Sequence, residues 1–285
     1  MSGPPSLPAL ALGGSTIVVV GASRGIGRQY AKDLAKAGAN LVLTGRGEEV
    51  VAVADAIRHD GGAARAVQCD IRNPAPFVDA AVADYGAIDG LVVNAGIVRD
   101  RSFAKMTADE WSEVIDVHLG GSFACAKAVW PVMSAQRRGS IVLTTSGAGL
   151  HGAFGQANYA AAKGGIIGLM KTLAIEGAKL GIRANAIAPM ALTEMTDEVF
   201  TERMKDRLRA DQISPFLIEL LGPVSNMTGK IVECGGGWGA ELRWQRAAGG
   251  EPGAIAFDRQ FDLPSSTADS LGAALGDART MYRMA

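Results

Sequence analysis

Thr16-Ile17-Val18-Val19-Val20-Gly21-Ala22-Ser23-Arg24-Gly25-Ile26-Gly27 runs from five β-branched residues into a glycine-punctuated turn and on into a helix-forming stretch. A continuous apolar run of that length is the pattern of a strand buried on both faces, as inside a parallel sheet. Gly25 to Ala37 reads as a helix and stops at Gly38, a residue suited to ending one. A helix N-terminus presents unpaired N–H groups and partial positive charge. Glycines let a ligand approach the backbone. The turn made by Gly21, Ser23, Arg24, Gly25, Ile26 and Gly27 is therefore expected to cradle a pyrophosphate. The glycine spacing alone would also fit a tight structural turn; its place between the first strand and a helix favours the ligand.

Outward from that unit, strand-like and helix-like segments alternate. Strands are expected at Asn40–Thr44, Ala64–Gln68, Gly90–Asn94, Ser140–Thr145, Arg183–Ala188 and finally Lys230–Cys234. Helices are expected at Glu48–Asp60, after Pro74, from the capping-box spacing Thr107-x-x-Glu110 to about Ser134, and over Tyr159–Leu180. Such alternation implies right-handed β-α-β crossovers, hence an α/β fold with one Rossmann-type, doubly wound parallel sheet covered by helices on both faces. Residues 1–14 read as a flexible N-terminus and 15–237 as the catalytic domain. Beyond Gly235 the composition turns Gly-rich and then Ser/Ala/Asp-rich, so 238–285 reads as a C-terminal extension over the domain or onto a neighbouring subunit.

Bulk properties narrow the function. A chain of 285 residues, 48% hydrophobic, can bury one large core, and its net charge of −1 gives no reason to expect a nucleic-acid or membrane partner. No apolar stretch approaches the roughly 20 residues of a spanning helix. The N-terminal stretch lacks the basic segment and apolar core of a secretory signal. Cys69, Cys125 and Cys234 are scattered without a C-x-x-C pair, which fits buried thiols in a reducing cytoplasm, and the three histidines lack metal-ligand spacing, so no metal is expected.

Tyr159-x-x-x-Lys163 puts a phenol and an ammonium one turn apart on a helix face, and Ser146 stands thirteen residues earlier at the end of the fifth strand. Strand C-termini in such sheets face the ligand crevice. A serine hydroxyl there can hold a carbonyl oxygen as it gains negative charge, and a tyrosine whose phenolate is favoured by a nearby Lys⁺ can exchange its proton. Read alone, a Tyr-x-x-x-Lys pair on a helix is an ordinary surface pair. Together with Gly21-x-x-x-Gly25-x-Gly27, Asp70 after the third strand and Asn94-Ala95-Gly96 after the fourth, the pattern resembles the short-chain dehydrogenase/reductase family over about Ser15 to Gly237.

That resemblance implies hydride transfer between a nicotinamide cofactor and a carbonyl/alcohol pair, catalysed by Ser146, Tyr159 and Lys163. It also implies that Asp70 and Ile71 border the adenine, that Asn94, Ala95 and Gly96 line the cofactor, that Lys163 bonds the nicotinamide ribose, and that Pro189 and Thr193 border the cofactor site. Many members carry an asparagine where this chain has His118. That histidine is either a buried structural residue or part of a water-mediated proton relay from Lys163. The stretch from Asn94 to Phe123, with Phe154–Lys163, is similar to the branch that includes the dehydrogenase region of peroxisomal multifunctional enzyme type 2 and its bacterial relatives. The implied substrates are (3R)-3-hydroxyacyl-CoA thioesters or 17β-hydroxysteroids, with 3-oxoacyl-carrier-protein reduction as the alternative and a non-catalytic NADP-binding regulator as the outlier. A homodimer or homotetramer is implied as well.

Cofactor choice reads differently from that branch. NAD-preferring enzymes end the second strand with an acid for the ribose 2′-hydroxyl. Here Gly45 takes that place and Arg46 follows, with Arg24 a second cation in the glycine turn. Guanidinium groups pair bidentately with phosphate, so NADP(H) is expected and NAD is the alternative. The alternative stands if both arginines are solvated surface charges, or if Glu48 or Glu49 folds back to the hydroxyl.

Overall fold

The computed structural model describes residues 11–191 and 207–244. Among these residues eight strands, β1 (Thr16–Val20), β2 (Asn40–Gly45), β3 (Ala63–Gln68), β4 (Gly90–Val93), β5 (Gly139–Thr144), β6 (Ile182–Met190), β7 (Ile231–Gly235) and β8 (Trp238–Leu242), form one sheet in the order β3-β2-β1-β4-β5-β6-β7-β8. The first seven are mutually parallel and β8 is antiparallel to β7. The helices are α1 (Gly25–Lys36), α2 (Glu49–His59), α3 (Ala75–Tyr85), α4 (Ala108–Ile115), α5 (Gly121–Gln136), α6 (Gly147–His151), α7 (Ala157–Gly177) and α8 (Ser214–Leu221).

The β1 run is buried throughout, and its side chains alternate between two cores. Ile17 and Val19 join Tyr30 and Leu34 of α1, whereas Val18 and Val20 join Phe77 of α3 and Val129 of α5. The chain crosses from β1 to β2 on one side and later to β4 on the other. The strand order thus reverses at β1, and a crevice opens beyond the C-terminal ends of β1 and β4.

Three readings change. The helix expected from Thr107 to about Ser134 is two helices, with a π-helical turn at Asp116–Gly120 between them. Such a turn inserts an extra residue and re-aims the side chains around it. His118 lies inside this one and is buried. Lys230–Cys234 is not the last strand. Gly236 and Gly237, with φ of 59° and 77°, make a two-residue turn that pairs Gly235 with Trp238, so the boundary drawn at residue 237 cuts a hairpin. The glycine run that read as the start of an extension is that turn. At the other end, Leu12 is buried in the α1 core and donates its N–H to the Ala37 carbonyl oxygen at 3.0 Å, so Ala11 to Gly14 is a fixed turn.

Because β8 runs against β7, it carries the chain from the crevice end of the sheet to the opposite end. Trp244 is reached there, with the Lys171 ammonium 5.4 Å from its ring centroid. The expected role of the C-terminal extension beyond it lies outside the described residues.

Candidate active site

The first turn of the site is built by glycine. Gly21 has φ of +86°, and a Cβ there would stand 2.6 Å from the Cα and N of Ala95. Only a bare backbone lets β1 and the Asn94–Gly96 turn meet this closely. Arg24 at the α1 N-cap is extended and places no capping side-chain bond on the first turn. A cavity of about 530 Å³ runs over that terminus. At one end lie Arg46, Asp70 and Ile71; along its floor are Ser23, Arg24, Gly25 and Ile26; at the other end are Ser146, Tyr159 and Lys163. Asn94, Ala95, Gly96, His118 and Pro189 also border it. Gly27 packs behind the turn, where a Cβ would overlap the Gly21 carbonyl oxygen. Thr193 lies outside the described residues.

Each catalytic candidate has a local structural reason for its place. Ser146 caps α6, its Oγ accepting the Ala148 N–H at 3.3 Å. Tyr159 sits near the start of α7 beside Asn158, which is fully buried. The Asn158 Oδ1 accepts the Tyr159 N–H at 2.8 Å, and its Nδ2 donates to the carbonyl oxygens of Arg99 at 3.1 Å and Glu110 at 3.0 Å. The helix that carries the tyrosine is thereby tied to the loop after β4 and to α4. Lys163 is buried one turn on, and its Nζ donates to the Thr144 carbonyl oxygen at 2.7 Å.

Burial dominates the electrostatics of Tyr159 and Lys163. Burial pushes the Tyr159 phenol above its ordinary value, a Ser146 hydrogen bond pulls it down, and the Asp100 carboxylate pushes it up. Burial holds the Lys163 amine down to about 7, below its ordinary value of 10.5. Its Nζ stands over the Tyr159 ring, 5.5 Å from the centroid.

His118 turns inward from the π-helical turn. Its Nε2 lies 2.7 Å from the Ile97 carbonyl oxygen and 3.1 Å from the Ile97 nitrogen. The shorter contact is a donation to the carbonyl, which leaves Nδ1 as a buried acceptor with no hydrogen-bond partner among the described residues. Burial, reinforced by the Lys163 charge, holds the imidazole down to about 3. The ring is therefore neutral across the working range, which removes titration from any relay it serves. The main-chain carbonyl oxygen of His118 accepts the Ser122 hydroxyl at 2.6 Å.

At the other end of the cavity, a Cβ at Gly45 would overlap the Ser23 hydroxyl, which fills the space where an acid on β2 would begin. Asp70 is gripped by Arg72, with Nε–Oδ1 of 2.7 Å and Nη2–Oδ2 of 2.9 Å, and these bonds hold its carboxyl down to about 2. Arg72, which the sequence pattern did not single out, also borders the cavity, as do Glu49, Cys69 and Thr145. Arg72 follows Asp70 by two residues, a spacing that gives no signal until the side chain is seen to fold back. The long cavity, the α1 N-terminus and the bare approach at Gly21 fit a dinucleotide, whose pyrophosphate Ser23, Arg24, Gly25 and Ile26 would hold.

The family described as short chain dehydrogenase matches residues 15–204. The chain belongs to that family. That family implies an oxidoreductase domain with a nicotinamide cofactor, NAD or NADP. It is 39% identical over 246 residues to the mouse peroxisomal multifunctional enzyme type 2, covering 83% of this chain and 34% of that one. The chain thus spans about a third of the length of that relative. A 3-oxoacyl-[acyl-carrier-protein] reductase from Staphylococcus epidermidis is 39% identical over 196 residues, covering 67% of this chain and 80% of its own. Among solved structures, a short chain dehydrogenase from Mycobacterium avium superposes with a TM-score of 0.77 at 35% identity, covering 92% of this chain and 96% of that one. Among the described residues no helix is long and apolar enough to cross a membrane, and no cluster of His, Cys, Asp or Glu could hold a metal ion.

Proposed function

We propose that this oxidoreductase interconverts 3-hydroxyacyl and 3-oxoacyl thioesters of CoA, or a 17β-hydroxysteroid of similar reach, using NADP(H). The observation that carries the chemical part is the convergence of Ser146, Tyr159 and Lys163 at one end of a dinucleotide-sized cavity. The bound nicotinamide supplies or accepts the hydride. This chain's residues do the rest. Ser146 donates a hydrogen bond to the substrate oxygen, steadying its developing charge. Tyr159 hands its hydroxyl proton to that oxygen in reduction and takes it back in oxidation. Lys163, held at Thr144, sets the field beside the phenol and the ribose. His118, neutral, fixes the Ile97 segment and the edge of the Tyr159 ring.

The thioester reading leans on the peroxisomal relative and on the motif stretches from Asn94 and Phe154. The carrier-protein reading is supported by the bacterial reductase, whose name states that substrate. For the cofactor, Arg24 and Arg46 beside a Ser23-filled Gly45 favour a 2′-phosphate over a bare hydroxyl. A homodimer or homotetramer fits the exposed Trp111 and Phe123 on α4 and α5. Three free cysteines suit a reducing compartment such as the cytoplasm.

The deciding experiment assays 3-oxoacyl-CoA, 3-oxoacyl-carrier-protein and 17-ketosteroid substrates with NADPH and NADH. The highest kcat/KM is expected with a CoA thioester or steroid and NADPH. A clear preference for the carrier-protein substrate would replace this reading with the second one.

A further inference from the structure

Lys163 is gripped at three points by one short segment of chain. Its Nζ donates to the carbonyl oxygen of Thr144 at 2.7 Å. Its own main-chain carbonyl oxygen accepts the Thr145 hydroxyl at 2.8 Å. Its backbone abuts Gly149, where a Cβ would stand 2.6 Å from the Lys163 Cβ and 2.7 Å from its carbonyl carbon. Thr144 ends β5, and Gly149 lies in the first turn of α6, the turn that Ser146 caps. The six residues from Thr144 to Gly149, which carry the serine, therefore meet the lysine at its ammonium, its main-chain carbonyl and its backbone.

Neither feature is needed for the elements themselves. Carbonyl oxygens inside a helix are already satisfied by the N–H four residues on, so α7 does not require the Thr145 hydroxyl. Thr145 is buried, and valine has the same shape and suits a strand end equally well. Gly149 has no left-handed φ to demand glycine; what excludes a side chain is the approach of Lys163. What the two contacts do fix is the rotation and height of α7 against the end of β5. Tyr159 stands one turn earlier on the same helix, so its hydroxyl is placed relative to Ser146 by the same grip.

We propose that Thr145 and Gly149 are positioning residues that set the register of Lys163 and Tyr159 against Ser146. This rests on the reading that those three residues act together on substrate and cofactor. An error of about 1 Å in such a constellation costs on the order of a hundredfold in rate.

The test compares Thr145→Val, Thr145→Ser and Gly149→Ala with the parent protein. It measures kcat, KM, the pH dependence of kcat, the dissociation constant of NADPH by fluorescence, and melting by circular dichroism. Thr145→Val is expected to fold and to lower kcat about tenfold or more with KM changed by about twofold or less. Its pH profile should shift upward as water reaches the buried Lys163 amine, and Thr145→Ser should restore both. Gly149→Ala pushes the lysine directly, and is expected to lower kcat about ten- to a hundredfold and to weaken NADPH binding. Parental kcat and pH profile in a folded Thr145→Val overturn the proposal, as does a folded Thr145→Ser that fails like valine. Should Thr145→Val not fold, parental kcat and NADPH affinity in Gly149→Ala overturn it. Parental turnover in Tyr159→Phe would instead sink the catalytic reading itself, whatever the Thr145 variants do.

Discussion

The imidazole of His118 meets the ring of Tyr159 edge to face, with centroids 5.1 Å apart and planes at 89°. A Cβ on Gly96 would overlap that imidazole at Cε1, so the glycine of the cofactor-lining turn and the histidine of the π-helical turn fit only as a pair. Three parts of the site, the turn after β4, the break between α4 and α5, and the start of α7, meet at this ring.

One consequence concerns coupling. Gly96→Ala should be severely damaging alone, since its methyl must displace a buried ring. In a His118→Asn background the smaller side chain leaves room, and the same substitution should cost much less. Turnover and melting of the two single variants and the double variant give the coupling. Additive losses would show that the ring and the glycine do not constrain each other.

Turnover should depend steeply on the phenol and the hydroxyl that face the substrate. Tyr159→Phe is expected to keep NADPH affinity and to lower kcat by about 10²–10⁴-fold, the range for removing a positioned acid or base. Ser146→Ala is expected to lose roughly 10²–10³-fold. It should also melt slightly lower, because Ser146 caps α6. Near-parental kcat in Tyr159→Phe would remove tyrosine from the mechanism.

The strands, the glycine turn and the serine, tyrosine and lysine were legible because each is a local pattern: a β-branched run, a turn between strand and helix, a four-residue helical spacing. Thr107 and Glu110 also form the capping box that their spacing implied. What escaped was non-local. Thr144 and Thr145 read as plain strand residues because nothing in their neighbourhood reveals that α7 lies against them. The low value of Lys163 was hidden as well, because spacing does not report burial, and burial is what lowers the lysine. β8 was missed because its turn is glycine next to glycine, which also reads as the start of a loose extension.

Cofactor preference tests the far end of the cavity. The parent is expected to favour NADPH over NADH in kcat/KM. Arg46→Leu should narrow the preference by removing a phosphate partner. Adding Gly45→Asp should reverse it, because the new carboxylate repels a 2′-phosphate and can accept from a ribose hydroxyl. That second change also requires the Ser23 hydroxyl to swing aside, since it occupies the space the new Cβ needs. Gly45→Asp should therefore work better with Ser23→Gly than without it. An unchanged preference in the Gly45→Asp, Arg46→Leu double variant would show that Arg46 does not read the phosphate.

Stability should depend on pH in two separate windows, one from each buried base. In the folded protein Lys163 is held to about 7, against an ordinary value of 10.5, and His118 to about 3, against 6.5. In both cases burial is the main cause, so the unfolded chain binds the proton more readily than the native one. Stability rises with pH wherever the unfolded state carries more protons. The Lys163 contribution therefore rises from about pH 7 to 10.5, and that of His118 from about pH 3 to 6.5. Below each window the corresponding cost is fully present; above it the cost is gone. Lys163→Met, which keeps an unbranched chain without a charge to bury, should be inactive yet more stable than the parent at pH 6 to 7. That advantage should shrink as the pH approaches 10. His118→Asn should flatten only the acidic window. Urea unfolding of the protein without added cofactor, from pH 4 to 10, separates the two. A Lys163→Met curve parallel to the parent's above pH 7 would mean that the lysine is not held down by burial.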